Sequence, residues 1–110
     1  MFEIEAYTSE DGKQPFSEWL RGLRDTRARA RIMSRLDRVS RGNFGDWKSL
    51  SGAEGIAELR DPYGPGYRVY YSLVGNRVVL LLAGSTKRDQ ARTIAKARDY
   101  LADYIRRNSQ

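Results

Sequence analysis

Glu58, Arg60, Arg68 and Tyr70 occupy two neighbouring stretches whose alternation sends them to one side. A strand over Glu54–Arg60 directs Ala57 and Leu59 to a core and Ile56, Glu58 and Arg60 to the opposite face. A second strand over Tyr67–Val74 turns Val69, Tyr71 and Leu73 one way and Arg68, Tyr70 and Ser72 the other. Antiparallel neighbours place paired side chains about 4.5–5.5 Å apart at Cβ. Carboxylate, guanidinium and phenol then gather on one sheet face, a combination suited to phosphate chemistry. A solvated face of cross-strand ion pairs, each worth below about 1 kcal/mol, would use the same residues.

Further cations follow in Lys87 and Arg88, inside the segment Gly84–Gln90 that leaves an apolar strand and opens the last helix. Free backbone amides and the helix dipole favour an anion at such a place. Simple capping by Ser85, Thr86 or Asp89 is the competing reading. Between the two candidate strands, Asp61-Pro62-Tyr63-Gly64-Pro65-Gly66 makes a stiff connection with little entropy to lose on ordering.

The 110 residues include no cysteine and no histidine. That composition excludes a disulfide framework, thiolate-ligated zinc and a thiol nucleophile, and leaves acid–base work to Glu, Asp, Lys, Arg or Tyr. The length suits one hydrophobic core, so residues 1–110 are expected to form one domain. Lys and Arg number 20 against 14 acids, a formal charge of +6 that favours a polyanion or an acidic protein as partner. The N-terminus lacks the pattern of a signal peptide, and the longest apolar run, Val78–Ala83, is too short to cross a bilayer. A cytoplasmic protein without membrane contact is expected.

Several elements must position these groups. Phe2, Ile4 and Ala6 alternate with polar neighbours in an opening strand that ends near Tyr7. Pro15 starts a helix that stops near Gly22, with Phe16, Trp19, Leu20 and Leu23 on its apolar side. Thr26–Arg41 forms a second helix on Ile32, Leu36 and Val39, ending at Gly42. Beside that face run Arg24, Arg27, Arg31, Arg35 and Arg38, candidates for gripping nucleic-acid phosphates, for docking an acidic partner, or for a merely solvated face. Eight arginines against two aspartates between Arg21 and Arg41 give a local surplus equal to the charge of the whole chain. Gly42–Gly55 reads as an ordered connector pinned by Trp47. A third strand over Arg77–Ala83, reached by a two-residue Gly75-Asn76 turn, completes an antiparallel meander and is central. Ile94, Ala97, Leu101 and Ile105 mark the apolar face of a closing helix.

Taken in order, Gly42-Asn43-Phe44-Gly45-Asp46, Gly52 and Gly55 before Glu58-Leu59-Arg60, then Tyr63-Gly64-Pro65-Gly66-Tyr67-Arg68-Val69-Tyr70-Tyr71 and Gly84–Gln90, resemble the RelE/ParE superfamily of toxins from type II toxin–antitoxin systems. The likeness is to the HigB-like, addiction module killer branch and spans nearly the whole chain. It implies an α+β fold, with an N-terminal strand and helical hairpin packed on a twisted antiparallel sheet and a C-terminal helix. It also implies a neutralising antitoxin, often of helix-turn-helix type, and cleavage of mRNA, commonly on the ribosome.

By that resemblance the site residues are Glu58, Arg60, Arg68, Lys87 and Arg88. The implied cut is attack by a ribose 2′-hydroxyl on its own phosphate, which needs a base, a charge clamp and an acid. No metal or cofactor is expected. Glu58 serves as base, Arg60 and Arg68 as clamps, and Lys87 or Arg88 as electrostatic support or proton source. Tyr70 is the alternative acid, because an arginine with a pKa above about 12 is a poor one. Two other readings use the same fold: a ParE-like toxin that inhibits DNA gyrase by contact, and a basic RNA- or antitoxin-binding module without catalysis.

Overall fold

A computed structural model describes residues 1–109. Five strands form one sheet in the order β1-β5-β4-β3-β2, where β1 is Glu3–Ala6, β2 Trp47–Ser49, β3 Ala57–Asp61, β4 Tyr67–Val74 and β5 Val78–Thr86. Helices α1 (Pro15–Gly22) and α2 (Thr26–Ser40) cover one face, and α3 (Gln90–Asn108) covers the other. The architecture is the expected α+β arrangement. One pair differs from the rest: β1 joins β5 in parallel, from Glu3 opposite Val78 to Ala6 opposite Leu81.

Each face of the sheet carries its own apolar cluster. Phe16, Ala28, Ile32, Leu36 and Val39 of the helical hairpin close on Leu59, Val69, Tyr71, Val79 and Leu81. Ala97 and Leu101 of α3 close on Ile56, Tyr70, Leu80 and Leu82. Strand β5 therefore contributes to both cores, which accounts for its unbroken run of apolar residues. Its register against β4 shifts between Tyr70 and Tyr71, and this bulge puts Leu82 and Ala83 in the same cluster.

Local differences from the sequence reading have physical causes. Gly42–Gly55 contains the edge strand β2, which pairs with β3 but is exposed throughout and so shows no alternation. Trp47 does not pin this segment, being 50 % exposed. Phe44 does, packing edge-on to Phe2 at 5.3 Å and against Tyr71 at 5.8 Å. Strand β3 begins at Ala57 because Gly55 turns the chain with φ +83. Between Val74 and Val78 the hairpin has three residues, with Gly75 and Asn76 both at positive φ and Arg77 added. Ile105 is exposed, and Tyr104 takes the inward place beside Leu101.

Candidate anion site at the end of the sheet

The register delivers the expected juxtaposition. Glu58 stands opposite Tyr70, and Arg60 opposite Arg68; Arg68 in turn faces Ser85 of β5. Glu58 is 2 % exposed, a position that a carboxylate occupies only with partners. Its Oε2 lies 3.6 Å from Arg68 Nε and 3.9 Å from Arg60 Nε. Gln90, the first residue of α3, donates from Nε2 to Glu58 Oε1 at 3.2 Å. Both arginine Nε atoms are buried without a hydrogen-bond partner, so two donors flank the carboxylate uncommitted.

A cleft of about 450 Å³ is lined by Arg60, Arg68 and Lys87, by Asp46, and by the loop residues Pro62, Gly64, Pro65 and Gly66. Lys87 is held there because its backbone N–H donates to Gly66 O at 2.7 Å. Gly66 has φ +82, and a side chain on it would press on Lys87 Cβ. The loop itself is anchored through Asp61, which accepts two hydrogen bonds from Arg31 and one from the Tyr63 backbone. Those Arg31 bonds hold the Asp61 carboxyl below the usual carboxylate range, with burial opposing them. Arg31 also lies over the Tyr63 ring at 4.9 Å, and the Tyr63 hydroxyl donates to Asp25.

Not every expected residue reaches the cleft. Tyr70 is fully buried beneath it, bonded to Ser85 at 2.9 Å. Burial, with the Glu58 charge adding and the Ser85 bond and Arg68 opposing, pushes the Tyr70 hydroxyl up to about 12. It does not line the cleft. Arg88 is exposed and lines neither this cleft nor the groove beside it. The capping reading also fails, for neither Thr86 nor Asp89 makes a side-chain cap.

The arginine stripe divides. Arg35 points inward to the carbonyls of Arg60, Phe44 and Asp46, and Arg31 is committed to Asp61. Arg24, Arg27 and Arg38 remain exposed; Arg38 bonds only Ser34 on its own helix. Arg27, Arg31, Arg35 and Arg38 line a groove of about 450 Å³ along α2 that meets the cleft at Asp46, Arg60 and Pro62. Sequence reasoning missed Gln90, Ser85 and Asp46 as members of this constellation. Gln90 reaches Glu58 only because a 3-10 turn, Lys87–Asp89, precedes α3, and no periodicity signals that turn.

No family model matches the chain. An uncharacterized protein of Haemophilus influenzae is 43 % identical over 83 residues, which cover 76 % of this chain and 82 % of that protein. Among solved structures, the free state of a double arginine-to-alanine mutant of the E. coli toxin RelE is similar, with a TM-score of 0.62 over 89 % of this chain and 95 % of that one. At 16 % identity this second likeness is one of fold. The chain thus belongs to the family of the Haemophilus influenzae protein and carries the RelE fold.

Proposed function

We propose that the chain is the toxin of a type II toxin–antitoxin system, of the HigB-like branch, and that it cuts mRNA by 2′-hydroxyl attack on the adjacent phosphate. The observation that carries this reading is that Arg60 and Arg68, which line a cationic cleft, flank the buried Glu58 carboxylate with Nε atoms that make no hydrogen bond. A phosphodiester placed between Arg60, Arg68 and Lys87 would meet the charge clamp that a phosphorane needs. The likeness to the E. coli toxin RelE adds support through the fold.

Glu58 is the base. A ribose hydroxyl reaches its carboxylate by taking the place of the Gln90 amide or by entering between the two guanidinium groups. Lys87, at the rim, supplies charge and the proton for the departing 5′-oxygen. The nucleophile is internal to the substrate, so the reaction calls on no metal or cofactor. Arg24, Arg27 and Arg38 serve RNA or the ribosome, and an antitoxin of helix-turn-helix type is the neutralising partner. The chain acts as one domain in the cytoplasm; among the described residues no helix is long and apolar enough to cross a membrane.

Induction of the chain alone in a bacterial host, with mapping of new transcript 5′ ends beside an Arg68→Ala control, tests the reading. New ends that vanish in the variant are expected. Growth arrest without new ends would replace the nuclease by a gyrase-type protein target, and absence of arrest would leave a binding module.

A further inference from the structure

The cationic cleft and the α2 groove meet at Asp46, Arg60 and Pro62, and an ion pair stands at that junction. Arg60 Nη2 donates to Asp46 Oδ1 at 3.0 Å, and Asp46 lines both depressions. The other acid on their walls, Asp61, is buried and held by Arg31, whereas the Asp46 side chain is 56 % exposed. The backbone of Asp46 is fixed without its carboxylate: its carbonyl accepts from the Arg60 backbone and from Arg35, each at 3.0 Å. The Asp46 carboxylate thus has Arg60 as its partner, at 3.0 Å, closer than the 3.9 Å between Arg60 Nε and Glu58 Oε2.

A carboxylate and a phosphodiester are alternative acceptors for the same guanidinium fork. We propose that Asp46 is a resident competitor for phosphate: it holds Arg60 when the cleft is empty, and an RNA backbone phosphate takes its place on Arg60 and joins the two depressions into one track. The exchange leaves Arg60 paired in both states, so it costs little to a strand that offers several phosphates. An isolated anion, which must also displace Asp46 but has no second contact to offset it, binds poorly. Asp46 thus raises the threshold for entry and selects for a polyanion. The inference rests on the reading that the cleft receives RNA phosphate.

Its test is a double-mutant cycle on binding of a fluorescein-labelled, 2′-O-methyl single-stranded oligoribonucleotide, which cannot be cut. Asp46→Asn should tighten binding by about two- to fivefold, the scale of an exposed ion pair, and the gain should vanish in the Arg60→Gln background. An equal gain in both backgrounds would overturn the proposal, since it would mean only the loss of one negative charge. So would unchanged or weaker binding by Asp46→Asn, which would make Asp46 a support of Arg60. A chain that shows the coupling yet leaves ordinary RNA intact overturns the nuclease reading alone; no binding by any variant overturns both.

Discussion

Arg68 and Tyr70 lie two residues apart on β4, but their predicted behaviour is opposite. Arg68 lines the cleft with an Nε that makes no hydrogen bond, and Arg68→Ala should lower the cleavage rate by roughly 10²–10³, in line with removal of one electrostatic donor from a reacting centre. The fold should persist, by an unchanged far-UV circular dichroism spectrum, but with a lower thermal transition because the buried Glu58 loses one of its ion-pair partners. Tyr70→Phe removes only a buried hydroxyl whose partner is Ser85. It should cost about 1 kcal/mol in denaturant unfolding and leave cleavage in place; loss of cleavage with stability retained would restore the phenol as an acid. Alternation placed both residues on one face, and that much was legible from the sequence. Whether the face met solvent or α3 was not, because burial depends on a helix that begins only at Gln90, well beyond the strands whose register pairs Glu58 with Tyr70 and Arg60 with Arg68.

At the scale of elements, the site depends on how tightly strands and helices approach. A side chain at Gly84 would collide with the Trp19 ring, which α1 holds in the apolar cluster. Gly84→Ala should destabilise by about 1–3 kcal/mol through overpacking, measurable as a lower urea midpoint with no change at the cleft. The loop that forms the cleft wall leans instead on Asp61 and Arg31. Because the native carboxyl of Asp61 titrates below its ordinary value, its contribution is present above about pH 4, where the unfolded group is ionised, and is lost as pH falls through the native value. Asp61→Asn should therefore lower the unfolding midpoint at pH 7 more than at pH 3. Helices α1 and α2 and strand β4 were readable because their apolar periods are regular. Strand β2 was not, since a three-residue exposed edge has no period to read, and the parallel pairing of β1 has no local signature.

Across the whole molecule, charge is distributed unevenly. The arginine surplus of α2 and the cations of the cleft meet at Arg60, so the basic surface is continuous and not scattered. If Arg60, Arg68 and Lys87 each neutralise one phosphate, the logarithm of single-strand affinity should fall with the logarithm of salt at a slope of about −2. Lys87→Ala should make that slope shallower by about 0.7, whereas substitution of the inward Arg35 should change stability and leave the slope alone. Titrations between low and physiological salt would separate the two.

The parallel pair of β1 and β5 also has a meaning in time. Glu3 finds its partner only at Val78, so the first strand to leave the ribosome is among the last to settle. Hairpins and helices between them can form as they emerge, but the sheet closes only when β5 arrives. That same strand brings Ser85 and leads directly to Lys87 and Gln90. A nascent chain broken off before β5 therefore has neither a berth for its own N-terminus nor the strand that carries Ser85 beside Arg68.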